Sequence, residues 1–177
     1  MTRPRFFRRI AALLVDYCLI LGWAAVIAAI SAGIALASGG YANGLAGGTG
    51  MAELLGFVFL VLPIGIYLFA TEASPRQATV GKRALRMRVV ARDGSRPPAW
   101  RILVRTIVKL LPWEVAHFFV WHAFAVVSGD GVFPAWLIAG LVVADLLPVA
   151  YVLTVLLEPQ RRGPHDLVAG TRVVMRD

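Results

Sequence analysis

The chain has 177 residues, of which 59% are hydrophobic, and it carries a formal net charge of +8 with a mean hydropathy of +0.74. So much apolar surface exceeds what a soluble domain of this length can bury, which excludes a soluble globular protein. The basic residues flank apolar stretches and no polar domain accompanies them, so nucleic acid is excluded as a partner. The anionic headgroups of membrane lipids are the expected partner instead.

Long apolar windows predict an all-α integral membrane protein with four transmembrane helices. A helix needs about 20 apolar residues to cross a hydrocarbon layer about 30 Å thick. The windows that approach this length predict helices over about 10–37, 52–70, 106–128 and 135–157. We expect them to form a single domain over 1–177.

The positions of the basic residues predict the topology. All 18 Lys and Arg residues lie near the N-terminus, in 76–109 or in the last 20 residues, whereas 37–53 and 127–134 contain none. Loops on the cytoplasmic side of a membrane retain positive charge. Both termini and the segments 71–105 and 158–177 are therefore predicted to be cytoplasmic.

The first predicted helix contains a carboxylate at a depth where water is scarce. Asp16 lies six residues beyond Ile10, about 9 Å along the helix axis, and a charge at such a depth is costly enough to be a functional candidate. Arg9 precedes it by two turns, too far for a comfortable contact, so we expect water or a cation from another helix beside Asp16. We expect this helix to be retained, because its apolar stretch is about twice as long as the core of a signal peptide.

Glycine and proline mark the connections and the helix interiors. The glycine-rich stretch 38–50 predicts an outer loop without chemistry of its own. Pro63, Pro112 and Pro148 each fall within a predicted span. Proline lacks the backbone N–H, so each one frees a carbonyl that a neighbouring side chain or water must satisfy.

The two predicted cytoplasmic segments contain near-copies of one hexapeptide, identical at five of six positions. The copies are Arg88-Val89-Val90-Ala91-Arg92-Asp93 and Arg172-Val173-Val174-Met175-Arg176-Asp177. The alternation of polar and apolar residues predicts two short strands that pair beneath the bilayer, with a turn at Asp93-Gly94. A duplication into two parallel repeats and a chance recurrence are both open at this point.

A basic stripe leads into the third predicted helix, which then contains a Glu-His pair. Arg101, Arg105 and Lys109 follow at four-residue steps and predict contact with lipid headgroups. Glu114 and His117 are then one turn apart on the same face, which suits a proton relay.

Metal binding is the alternative for this part of the chain. Glu-x-x-His is half of a dimetal pattern and His122 lies close by, but no second copy of the pattern occurs. A metal enzyme would need a second subunit, so no metal is expected. Asp145, near the middle of the fourth window, is a further protonatable candidate. The predicted ion or proton relay therefore comprises Asp16, Asp145, Glu114 and His117.

The order of these residues resembles the RDD family of membrane proteins, named for one arginine and two aspartates. On this resemblance the family residues are Arg9, Asp16 and Asp166. The cytoplasmic motif of the family falls on Thr79, Gly81, Lys82, Arg83, His165 and Gly170. Gly81 and Gly170 occupy comparable places in the two cytoplasmic segments, where tight backbone turns or close approach are expected. The resemblance covers nearly the whole chain and implies a multi-pass membrane protein with transport, including sodium-proton exchange, as the expected activity.

Two functions are open from the residues. The first is ion or proton-coupled transport, which also predicts a homo-oligomer, because four helices rarely enclose a path alone. The second is a non-catalytic membrane scaffold or assembly factor that binds lipids or protein partners. In that case Arg9, Asp16 and Asp166 form an ion-pair lattice, with Asp166 meeting Lys82, Arg83 or the Arg8 and Arg9 pair.

Enzymatic activity is not expected. The Gly81-Lys82 pair lacks the preceding glycine-rich loop of a phosphate-binding motif, and no nucleophile with a recognisable base occurs. We expect no cofactor. The expected location is the cell membrane, specifically a bacterial inner membrane.

Overall fold

The computed structural model describes residues 2, 4–38, 48–129 and 131–176 and is 74% helical. The elements in chain order are α1 (Phe6–Ala37), α2 (Gly48–Gly56), a π-helical segment (Phe57–Val61), α3 (Leu62–Ala73), α4 (Val80–Ala84), β1 (Met87–Ala91), α5 (Ala99–Ser128), α6 (Ala135–Leu157), α7 (Pro164–Ala169) and β2 (Thr171–Met175). Most of the glycine-rich stretch predicted as an outer loop lies outside the described residues.

Four helical segments of the described chain are long and apolar enough to cross a membrane. They are Phe6–Ala37, Gly48–Ala73, Ala99–Ser128 and Ala135–Leu157. The four predicted spans are thus confirmed, the last of them with its predicted bounds. The other three are longer than predicted, and the cytoplasmic segment predicted over 71–105 is shorter.

The start of α5 shows why an apolar window misses a helix end. This helix begins at Ala99, directly after Pro98, whose carbonyl accepts the amide of Arg101 at 3.0 Å. Its first turns carry Arg101 and Arg105, which lower the local hydropathy without opposing the helix. The prediction that this span begins at 106 is therefore wrong.

The chain divides into two compact units. The first comprises 1–22, 64–110 and 151–177, and the second comprises 23–63 and 111–150. The core of the first unit contains Ala12, Met87, Val89, Ile102 and Val173. Both strands contribute to this core, so the polar segments are packed against the helices of the unit.

The two hexapeptide copies pair with each other, as predicted. Strands β1 and β2 are antiparallel, with Val89 opposite Val173, Arg88 opposite Val174 and Val90 opposite Arg172. Val89 and Val173 occupy the same position in the two copies of the hexapeptide. On either side of them, the arginine of one copy lies opposite the second valine of the other, so the register has a local two-fold symmetry. Each strand also follows a short helix, α4 or α7. This arrangement supports a duplicated helix-strand segment.

At two of the three prolines within the spans, a side chain donates a hydrogen bond to the carbonyl four residues earlier, which the proline cannot reach with an N–H of its own. The carbonyl four residues before Pro63 belongs to Phe59, and the Trp23 indole N–H donates to it at 2.9 Å within the second unit. The carbonyl four residues before Pro112 belongs to Val108, and the Tyr151 hydroxyl donates to it at 2.6 Å within the first unit. The prediction that neighbours satisfy freed carbonyls is confirmed at these two positions.

Candidate functional site

The first unit holds Asp16 in a set of uncharged hydrogen-bond donors. Asp16 is 4% exposed. Its Oδ1 accepts from the Tyr67 hydroxyl and from the Gly81 amide, both at 2.8 Å, and its Oδ2 accepts from the Thr79 hydroxyl at 2.6 Å. Thr79 is also the N-cap of α4 and accepts the amide of Lys82 at 3.3 Å. Asp16 therefore fastens the beginning of α4 to α1.

This arrangement corrects the expectation of a cation from another helix, because no ion pair of Asp16 occurs among the described residues. Hydroxyl and amide donors that use both oxygens satisfy the hydrogen-bonding capacity of a buried carboxylate without a cation. Arg9 instead donates a hydrogen bond to the carbonyl of Arg161. Arg9 and Asp16, the first two family residues, therefore have separate hydrogen-bond partners.

Glycine is required at position 81 by the close approach of two backbones. A Cβ built on Gly81 would overlap the carbonyl oxygen of Ala12 and lie 3.0 Å from Cγ of Asp16. Gly170 has a different reason: it ends α7 with a φ of 65°, in the left-handed region that favours glycine. The sequence therefore pointed correctly to backbone constraints at both glycines.

A chain of buried charges lies in the same unit. Glu72 accepts from Nζ of Lys82 at 2.6 Å and from Nε of Arg105 at 2.7 Å. Nη1 of Arg105 pairs with Oδ1 of Asp166. The side chains of Glu72, Arg105 and Asp166 are each 1% exposed. Removal of one partner from a pair buried this deeply leaves an uncompensated charge, so each of these three side chains depends on its partner.

Two sequence predictions are wrong at this cluster. Arg105 was assigned to a stripe facing lipid headgroups, yet it is buried. The partner of Asp166 was expected among Lys82, Arg83 and the Arg8 and Arg9 pair, whereas the residue that contacts it is Arg105. Arg83 lies within α4 and is half-buried.

Glu72 is a member of the cluster that sequence reasoning missed. It lies at the end of an apolar span and is one of two acidic residues among ten basic ones in 71–109, the other being Asp93. An isolated acidic residue among many basic ones at the end of a span indicates an ion pair, and this pattern could have identified Glu72 from the sequence.

Asp166 keeps its charge despite its burial. Burial alone would raise its pKa, but the Arg105 guanidinium, assisted by that of Arg9, holds the pKa below its ordinary value. Its Oδ1 also accepts from the Thr171 hydroxyl at 2.9 Å. Asp166 thus ties α7, β2 and α5 together.

His165 lies next to Asp166 as an uncharged ring. Burial, together with the nearby Arg105 cation, lowers the pKa of His165 to about 3. Its Nε2 lies 3.5 Å from Oδ2 of Asp166, and its ring stacks on Tyr151 with a centroid separation of 6.3 Å. The ring therefore adds no positive charge near neutral pH.

A cavity of about 210 Å³ opens beside the cluster, entirely within the first unit. Four cationic side chains line it: Arg9, Lys82, Arg105 and Lys109. Two carboxylates, Asp16 and Asp166, also line it, and most of the remaining wall is apolar. The cavity thus combines an excess of positive charge with apolar walls.

The other relay candidates belong to the second unit. Oε1 of Glu114 lies 3.7 Å from Nδ1 of His117, and the Trp121 indole N–H donates to Nε2 of His117 at 2.7 Å. His122 is part-exposed and its Nδ1 lies 2.9 Å from the carbonyl of Phe118. Asp145 is exposed on α6.

These contacts connect Glu114 with His117 but do not include Asp145. Asp16, the fourth predicted member of the relay, is held in the first unit by the three donors described above. Across the described ranges, no group of three or more His, Cys, Asp and Glu side chains could hold a metal ion.

The four apolar spans define the chain as a multi-pass membrane protein. The family model of the RDD family matches residues 3–170, a range that includes Arg9, Asp16 and Asp166. The chain belongs to the RDD family. No curated protein and no solved structure matches it.

Proposed function

We propose that this protein is a non-enzymatic membrane scaffold in which Asp16 and Asp166 fasten two helix-strand segments to the membrane helices and thereby build a cation-rich binding face. The observation that carries the proposal is the saturation of Asp16. Both of its oxygens accept strong hydrogen bonds from groups on α3, α4 and the residue before α4. A carboxylate used in this way holds backbone segments in place.

The same contacts speak against Asp16 as an ion carrier. A carrier must release its hydrogen bonds, bind an ion and then expose it to the other side of the membrane. For Asp16 this would mean detaching α4, in which Lys82 is itself paired with buried Glu72. Such a motion would expose several buried charges at once, which is costly.

Ion or proton transport is the second candidate, favoured by a different observation. In the second unit, Oε2 of Glu114 and Nδ1 of His117 are buried without a hydrogen-bond partner among the described residues. Buried polar atoms of this kind in a span are typical of proton-relay groups or of sites that take up water. In this candidate, Glu114 and His117 are the carriers and the protein acts as a homo-oligomer.

We also propose that both termini are cytoplasmic, in a cell membrane such as a bacterial inner membrane. The amide of Met175 donates to the carbonyl of Thr2 at 2.9 Å, which supports a common side for the two ends of the chain. The basic residues clustered near both ends support the cytoplasmic side. Lipids with anionic headgroups and acidic segments of partner proteins fit such a face.

The two candidates are separated by comparing Asp16→Asn with Glu114→Gln in the full-length protein. For the scaffold, Asp16→Asn opens the segment around α4, so trypsin cleaves faster after Lys82 and Arg83, while Glu114→Gln leaves cleavage unchanged. Proteoliposomes with the wild type then show no more sodium or proton flux than empty vesicles. Wild-type flux that Glu114→Gln abolishes, with the cleavage pattern intact, would replace the scaffold by a transporter.

A further inference from the structure

We propose that the cavity of the first unit binds the phosphate group of an anionic phospholipid, with Arg9 and Lys109 as the recognising cations. The inference rests on the proposed function, because it names a ligand for the cation-rich face that the scaffold builds. Four observations carry it: the charge balance, two cations that make no carboxylate contact below 4.0 Å in the described structure, unpaired buried atoms on residues of the wall, and the apolar remainder of the wall.

The charge balance of the cavity favours an anion. Its wall contains four cations and two carboxylates, and His165 is uncharged. Glu72, behind the wall, adds one further negative charge through its pairs with Lys82 and Arg105. The sum remains positive, and apolar surroundings strengthen the attraction of such a site for an anion.

Two of the four cations have charge available for a ligand. Lys82 and Arg105 are in close contact with carboxylates. Nζ of Lys109 approaches Glu72 only at 4.0 Å and its side chain is 21% exposed. Arg9 uses one Nη for the carbonyl of Arg161, and its Nε is buried with no hydrogen-bond partner in the described structure. Arg and Lys are the side chains that bind phosphate most strongly.

Further unpaired atoms favour a ligand that also carries hydroxyl groups. Oδ2 of Asp166 and Nδ1 of His165 are buried without a hydrogen-bond partner among the described residues, and both residues line the cavity. Buried acceptors are costly unless a donor reaches them. The glycerol headgroup of phosphatidylglycerol supplies hydroxyl donors next to its phosphate, whereas the choline headgroup has none.

The rest of the wall suits the apolar part of a lipid. Phe6, Ile10 and Leu13 come from α1, while Val152 and Val155 come from α6, and all five line the cavity. Both helices are membrane spans. A phosphate in the cavity can therefore remain connected to acyl chains that lie along these helices.

The experiment measures binding and thermal stabilisation of the purified full-length protein in a neutral detergent. The added probes are dioleoylphosphatidylglycerol, dioleoylphosphatidylcholine and inorganic phosphate. We expect phosphatidylglycerol to raise the unfolding temperature and to bind about tenfold more tightly than phosphatidylcholine, since at least one charge-assisted hydrogen bond distinguishes them. Inorganic phosphate should have a weaker effect, because it lacks the apolar contact.

Arg9→Gln and Lys109→Gln should each weaken phosphatidylglycerol binding by about tenfold. Arg5→Gln is the matched control, since Arg5 is exposed and does not line the cavity, and it should change the affinity by less than about twofold. Equal binding of the two lipids, or unchanged affinity in both cavity variants, would overturn the proposal. An inorganic phosphate effect as large as that of phosphatidylglycerol would overturn the lipid as the source of the phosphate.

Failure of this inference is distinguishable from failure of the scaffold. In the described structure Nζ of Lys109 approaches a carboxylate only at 4.0 Å, on Glu72, so Lys109→Gln should keep the wild-type resistance to trypsin and the unfolding temperature of the lipid-free protein. Normal protease resistance with no selectivity for phosphatidylglycerol would refute the cavity as a lipid site and leave the scaffold intact. A scaffold failure shows instead as an unchanged cleavage pattern in Asp16→Asn.

Discussion

Replacement of Arg105 by methionine should be one of the most destabilising single changes in the first unit. The Arg105 side chain donates to Glu72 from Nε, and from Nη1 to Asp166 and to the Thr171 hydroxyl at 3.2 Å. Methionine fills a similar volume and is compatible with a helix. The variant therefore tests the charge and its hydrogen bonds more than the packing.

The expected loss of stability in Arg105→Met depends on the contacts that Glu72 and Asp166 retain in the variant. Glu72 retains Lys82 at 2.6 Å, so it remains paired. Asp166 retains the Thr171 hydroxyl but loses its contacting guanidinium. Removing one partner of a buried ion pair costs about 3–5 kcal/mol, because a charge is left buried and uncompensated. We expect the free energy of unfolding to fall by this amount, mainly through Asp166.

A second substitution should recover part of this loss. In Arg105→Met with Asp166→Asn, no unpaired carboxylate remains at position 166. The double variant should therefore be more stable than the sum of the two single losses predicts, by about 1–3 kcal/mol. The wild type, the two single variants and the double variant together form a double-mutant cycle for the contact between Arg105 and Asp166.

The assay is unfolding of the purified protein in mixed micelles by increasing SDS, followed by circular dichroism and tryptophan fluorescence. Arg101→Met, one turn earlier on α5, is the matched control. Arg101 is part-exposed and lies over the Trp100 ring at 5.2 Å, so its loss should cost about 1 kcal/mol or less. Equal small losses in the two variants, or a double variant without recovery, would refute the role assigned to the Arg105 pair.

Three further predictions concern single positions. Gly81→Ala should lower the free energy of unfolding by about 1–3 kcal/mol, because the added Cβ overlaps a backbone carbonyl. Gly22→Ala is the control: no atom lies within 4 Å of a Cβ added there, so it should be neutral or stabilising by up to about 1 kcal/mol. Tyr151→Phe should cost about 1–2 kcal/mol in the same unfolding assay but little in a Pro112→Ala background, where the backbone N–H is restored. Stability should also fall on acidification below about pH 4: the folded pKa of Asp166 is depressed, so its contribution is present above the unfolded pKa and is lost as pH falls through the folded one.

Each of these predictions has a result that would contradict it. Equal effects of alanine at the two glycines would mean that the close approach at Gly81 is unimportant. A cost of Tyr151→Phe that is the same with and without Pro112 would show that its hydroxyl does not compensate the proline. For the acid dependence, Asp166→Asn should flatten the curve of stability against pH, and an unchanged curve would assign the effect to other carboxylates.

The sequence by itself determined the class of the protein and the positions of its spans. Long apolar windows follow from the cost of placing charge in hydrocarbon. That cost depends on local composition, so it can be read along the chain. The same holds for Pro112 and the freed carbonyl of Val108, because the geometry of a helix relates those two positions directly.

Local patterns also predicted the strands and the two glycines. Alternation in the hexapeptides indicated β1 and β2 and their pairing. Gly81 and Gly170 were recognised as places where the backbone needs freedom. The detailed reason, a close approach at one and a positive φ at the other, required the coordinates.

Only the tertiary structure decided which charge meets which. Asp16 is bound by Tyr67 and Gly81, residues more than 50 positions away, and Asp166 by Arg105, which is 61 positions away. Spacing along a sequence fixes neighbours within one helix, but several basic residues were equally available to Asp166 by charge alone. The packing of α4 and α7 against the spans selects among them, because a buried ion pair forms only where the backbone brings both partners out of water together.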